Sequence, residues 1–218
     1  MALVIQTFTR ALALLQYGVA SVTCPDQDES GDRHLVKTIQ DGALLAVVDG
    51  SGHGKDAAGP ARLAMETLET YAEENVVSLF QRCHQRLRNT RGAVMSIAKI
   101  DAAQDSLTWA GVGNIEGMIL RFGSPLRFGS SREGADRLLL RPGIVGYRLP
   151  YLQALTSPIA PGDLIILATD GIRPDFEKQI MPEEHPRIIA NIISSGFRKR
   201  YDDGLVLVAR YLGNNERP

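Results

Sequence analysis

The chain has 218 residues, with Lys+Arg 24 against Asp+Glu 25 and a net charge of −1. That length suits one domain spanning residues 1–218, and the balanced charge gives no footprint for nucleic acid. The longest apolar runs, residues 43–48 and 164–168, fall far short of the ~20 residues that span a bilayer.

The N-terminal stretch MALVIQTFTRALALLQYGVA lacks an early basic cluster ahead of a clean apolar block, so no signal peptide is read. Two cysteines, Cys24 and Cys83, are too few for a disulfide framework. Reduced thiols and a cytoplasmic location are expected. Runs 34–39 and 43–48 are apolar-rich and separated by Gln40-Asp41-Gly42, which predicts a hairpin. Ala61, Ala64, Met65, Leu68, Tyr71 and Ala72 recur at helical spacing, and so do Val76, Leu79, Phe80, Cys83 and Leu87. Strands are predicted over 93–100, 107–112, 115–121, 164–169 and 205–211, with a helix around 188–193. Residues 122–150, rich in Gly, Arg and Pro, take no assignment. The order is that of a layered α+β domain, not a regular βαβ alternation.

Two Asp-Gly pairs differ from the hairpin turn. Asp49-Gly50 closes ALLAVV and Asp170-Gly171 closes LIILAT. A carboxylate ending a buried strand is costly without a partner, and a bound cation is the usual compensation. In the predicted hairpin the start of the first strand meets the end of the second, so Asp32 and Asp49 share one end. If the strands ending at Asp170 and following Asp202-Asp203 are antiparallel neighbours, a second pair shares an end too. A carboxylate-only cluster favours magnesium or manganese over zinc. The segment DGSGHGKD imitates a phosphate-binding loop, but Asp49 and Asp56 stand where that pattern needs Gly and Ser or Thr, which argues against an NTPase. Glycines 50, 52 and 54 fit a tight turn beside a metal.

In order along the chain, SGD, AVVDGSGHG, RGAVMSIAKI, AGVGN, ATDG and DDGLVLVARY resemble the type 2C (PPM) metal-dependent serine/threonine phosphatases, in their SpoIIE-like bacterial branch. The resemblance implies a β-sandwich of two mainly antiparallel sheets flanked by α-helices. It implies two Mn2+ or Mg2+ ions. On this resemblance Asp49 would bridge both, the Gly50 carbonyl would bind one, Asp170 and Asp202 would hold the other, and Asp32 would act through a water. It implies attack on phosphorus by metal-activated water. Phosphorylated STAS-domain proteins of the bacterial stressosome are the implied partners, with neither nucleic acid nor membrane involved. Asn114 stands where the family commonly has an acid able to hold a third ion. DDGLVLV departs from the usual ending, which leaves Asp202 and Asp203 as alternative ligands. The phosphate-gripping arginine of many eukaryotic relatives has no match.

His53, four residues after Asp49, is the one histidine in the motif region and the candidate proton donor to the leaving group. Arg127, Arg132, Arg137, Arg141 and Arg148 form a candidate docking surface. An adaptor with an inactive phosphatase fold is the rival reading.

Overall fold

The computed structural model describes residues 14–122 and 135–213. β1 (Leu15–Val22) leads to the hairpin of β2 (Asp32–Ile39) and β3 (Gly42–Gly50). Helices α1 (Gly54–Thr70) and α2 (Val76–Leu87) follow, then β4 (Ala93–Asp101), β5 (Ser106–Val112) and β6 (Glu116–Leu120). Three short strands come next: β7 (Ala135–Arg137), β8 (Leu140–Arg141) and β9 (Leu155–Pro158). β10 (Leu164–Ala168), a 3-10 turn at Phe176–Gln179, α3 (Pro186–Phe197) and β11 (Gly204–Tyr211) complete the order.

One sheet runs β1-β11-β10-β6-β7 and the other β2-β3-β4-β5-β8, with β9 beside β5. All pairings are antiparallel except β5 with β8. The architecture is the α+β sandwich that the resemblance implies.

The residue pattern accounts for the layering. β3 is buried on both faces. Ala43, Leu45 and Val47 pack with Trp109, Leu167 and Leu207 between the sheets. Leu44, Ala46 and Val48 pack under α1 and α2, against Ala61, Leu68 and Phe80. β11 repeats the device: Leu205 and Leu207 face the sandwich, while Val206 and Val208 meet Ile189 and Ile193 of α3. A strand covered on both faces must read as a continuous apolar run, and both do. Asn75 caps α2 through Ser78 N–H, 2.9 Å, and Pro186 sits in the first turn of α3, where its missing N–H costs nothing.

β1 is a strand that the sequence reading did not assign. It pairs along its whole length with β11, and α3 crosses it at Gly18, where a side chain would meet the backbone of Arg187. Short β7 and β8 fall within the unassigned stretch 122–150 and lie at the ends of the two sheets, with β9 beside β5. No helix among the described residues is long and apolar enough to cross a membrane.

Candidate active site

The two-residue turn at Gln40 and Asp41 fixes the β2–β3 register, and that register sets Asp32 directly opposite Asp49. In the other sheet Ala168 of β10 lies opposite Val206 of β11. Asp170 therefore leaves β10 at the end where Asp202 and Asp203 enter β11. The two ends meet across the sandwich: Thr169 Oγ1 donates to Asp32 Oδ2 at 2.8 Å and accepts Leu205 N–H at 2.8 Å. One threonine thus ties the acid of the first sheet to the backbone of the second.

The aspartates then divide by what they bond. Asp203 accepts Cys24 N–H through Oδ1 and Gly31 N–H through Oδ2, both at 2.7 Å. It clamps the loop that delivers Asp32. Asp170 accepts Asn114 Nδ2–H through Oδ2 at 2.8 Å, which fixes its orientation. Of the two neighbouring acids before β11, Asp202 is the one whose carboxylate is not consumed by this clamp.

These anions perturb one another. Burial first, and then the charges of Asp170, Asp202 and Asp203, push Asp49 up to about 7. Asp32, 3% exposed, is held well above the usual carboxylate range by burial and by Asp49, against the opposing Thr169 hydroxyl. Asp202 is raised by burial and by Asp170, with Lys199 opposing. Among the described residues, no arginine or lysine stands within ion-pair distance of any of these aspartates.

Nor, among the described residues, do three or more His, Cys, Asp or Glu side chains form a group that could hold a metal ion as they stand. An oxygen-only donor set, partly buried and lacking a paired cation, fits magnesium or manganese and does not fit zinc.

Gly50 ends β3, donates its N–H to Gly31 O at 3.2 Å, and lies so close to α1 that a Cβ would stand 1.9 Å from Ala57 O. Gly171 is equally constrained, by Asp203 O. His53 is the exposed N-cap of α1 and makes no capping hydrogen bond. Arg91 lies over Gly52 and pairs with Asp56 at 2.7 Å. Of the candidate docking arginines, Arg127 and Arg132 lie outside the described residues. Arg137 is engaged by Glu116 and Glu177. Thr169, Asn114 in its contact with Asp170, and the clamp of Asp203 are the site features that the sequence reading missed.

Comparison with known proteins identifies the family and the fold. The Stage II sporulation protein E (SpoIIE) family matches residues 40–211. The phosphoserine phosphatase RsbX of Bacillus subtilis (strain 168) is 31% identical over 174 residues, covering 79% of this chain and 83% of RsbX.

Among solved structures, a chain from work on the bacterial stressosome as a modular system controlling secondary messenger signalling superposes with TM-score 0.79 at 32% identity. It covers 90% of this chain and 99% of its own. RsbX in complex with magnesium gives 0.78 at 26% identity, covering 91% and 96%. The catalytic domain of the serine/threonine phosphatase PstP with two manganese ions shares the fold at TM-score 0.63 and 17% identity, covering 91% and 99%. The chain belongs to the SpoIIE family and is a phosphoprotein phosphatase of the PP2C type.

Proposed function

We propose that this protein removes phosphate from serine or threonine of STAS-domain stressosome proteins in bacterial stress signalling, with Mn2+ or Mg2+ as cofactor. The observation that carries the reading is the convergence of Asp32 and Asp49 from one sheet with Asp170 and Asp202 from the other. The similarity to RsbX, named a phosphoserine phosphatase, supports the substrate class.

Asp32, Asp49, Asp170, Asp202 and the Gly50 carbonyl are the residues that would hold two divalent ions. Such ions, when bound, acidify water and offset the charge that builds on a transferring phosphoryl group. The chain's own residues do the rest. Thr169 and Asn114 hold Asp32 and Asp170 in fixed orientation through hydrogen bonds of 2.8 Å each. Pre-set orientation of the acids avoids a reorganisation cost during the reaction. His53, exposed at the start of α1, supplies the proton to the departing serine alkoxide.

Cysteine chemistry has no place here. Cys83 is buried and its thiol is pushed up to about 12, while burial and the neighbouring Asp203 and Asp202 raise Cys24. Neither is a ready thiolate.

The test is hydrolysis of a phosphoserine peptide, a phosphorylated STAS-domain protein and para-nitrophenyl phosphate with manganese. Asp49→Asn should lose at least about a hundredfold in turnover, while Asp41→Asn, at the hairpin turn, stays near wild type. His53→Ala should slow the phosphoserine substrates and spare para-nitrophenyl phosphate, whose leaving group needs little protonation. A wild-type protein inert toward all three substrates would overturn the catalytic reading. Activity without any on the STAS-domain protein would overturn the pathway alone.

A further inference from the structure

The acid end of the sandwich is bordered on the α3 side by cations that, among the described residues, form no close ion pair. After Phe197 the chain runs through Arg198-Lys199-Arg200-Tyr201 to Asp202. A run of charge is ordinarily a solvated surface, but this one is fastened at both ends. Arg198 bridges Ile172, and Lys199 N–H donates to Gly171 O at 2.7 Å. At the far end Asp203 holds Cys24 and Gly31.

The turn between these anchors stands free. Tyr201 is 74% exposed, with the Arg200 guanidinium 5.5 Å from its ring centroid. Arg173 joins the same ledge, donating to Gly196 O at 2.8 Å and lying 5.8 Å from the Phe197 ring.

Arginines near the acid end elsewhere behave differently. Arg91 is paired with Asp56 and Arg33 with Glu29, each at 2.7 Å. Among the described residues Arg173, Arg198, Lys199 and Arg200 have no carboxylate within ion-pair distance. The anchored turn and Arg173 therefore present positive charge outside any close ion pair, with Lys199 acting on Asp202, and an exposed tyrosine next to Asp170 and Asp202.

We propose that this ledge is a substrate-docking surface that binds acidic residues flanking the phosphoserine of a protein substrate. The assignment rests on the phosphatase reading above and adds a sequence preference to it. The chemistry is complementary in sign. A phosphorylated, acid-flanked segment would be drawn along the ledge toward the centre, where the divalent ions would offset the charge of the aspartates. Arg200 offers a planar fork to a carboxylate, and Tyr201 a surface for the segment's backbone. Electrostatic contacts of this kind act on encounter and on KM, and they weaken with salt.

The test uses para-nitrophenyl phosphate and two synthetic phosphoserine peptides of equal length, one with Asp and Glu around the phosphoserine and one with Gln at those positions. At low salt the wild type with manganese should prefer the acidic peptide by about tenfold in kcat/KM, chiefly through KM, and the preference should shrink toward 0.5 M salt. Arg200→Glu should abolish the preference. Tyr201→Ala should weaken turnover of both peptides severalfold. Both variants should keep para-nitrophenyl phosphate turnover within about twofold of wild type, because that substrate does not reach the ledge.

No wild-type preference, or a preference that survives Arg200→Glu, would overturn the docking role. So would equal loss on all three substrates, which would place Arg200 in support of the acids instead. If the wild type hydrolyses none of the three, the phosphatase reading falls and this proposal with it.

Discussion

Both carboxylate oxygens of Asp203 accept backbone N–H groups, from Cys24 and Gly31, across more than 170 residues of chain. Asp202, one residue earlier, has no such clamp and is instead raised by burial and by Asp170. The two side chains should therefore fail differently. Asp203→Ala leaves two partly buried donors without partners, at about 1–3 kcal/mol each. In a chain of this size about 2–4 °C accompanies each kcal/mol. The metal-free protein should melt several degrees lower, and Asp32 should lose its fixed approach. Asp202→Asn removes a charge that repels Asp170, so the metal-free melting temperature should hold or rise while manganese affinity falls. Melting curves in chelator, with manganese titrated calorimetrically, separate the two. The reverse pattern would mean that Asp203 is the ligand.

At the level of elements, the glycines of the Asp-Gly pairs matter through close approach. Gly50 sits where β3 runs into α1, with Ala57 O in the place of any Cβ, at 1.9 Å. Gly59, within α1, has nothing within 4 Å. Gly50→Ala must push the helix start away from the strand and should destabilise the protein by about 1–3 kcal/mol or more, as overpacking does. Gly59→Ala relieves helix entropy without a clash and should stabilise it by about 0.5–1 kcal/mol. Thermal melts of the two variants should move in opposite directions.

The same contrast marks what the sequence discloses. The β2–β3 hairpin was legible because Asp41-Gly42 punctuates two apolar runs, and the buried strands β3, β10 and β11 were legible because both faces are apolar. β1 was not: LQYGVASV mixes buried and half-exposed positions, and its partner β11 lies at the other end of the chain. β7, β8 and β9 are too short to show a period. Asp32, Asp49 and Asp170 stood out as acids at strand ends. The hydrogen bonds of Thr169 and Asn114 to these acids did not, since their partners lie 137 and 56 residues away.

Across the whole molecule, the acids come as one pair from each sheet, and the Thr169–Asp32 hydrogen bond is a direct side-chain tie between the sheets at this end. Ions held by both pairs would act as a staple between the layers, so metal binding should read out as stability. At a hundredfold excess over its dissociation constant a ligand adds about 2.7 kcal/mol. For a chain of this length that is roughly 5–10 °C in melting temperature. The pH dependence follows from Asp49, whose folded value of about 7 stands above its ordinary 3.8. A group raised on folding stabilises fully below its unfolded value, and that contribution is lost as pH rises through the folded one. The metal-free protein should therefore lose stability between about pH 4 and pH 7. Manganese competes with the protons on Asp49 and Asp32, so its stabilising increment should grow over the same interval and level off above it. Because the staple needs both sheets, Asp49→Asn and Asp170→Asn should each remove most of the manganese increment, although they sit in different sheets. Differential scanning fluorimetry from about pH 4 to about pH 8.5, with manganese and with chelator, measures all of this. An increment independent of pH would show that the ions displace no protons from Asp49 and Asp32, and one that survives loss of either sheet's acid would show that they do not join the two layers.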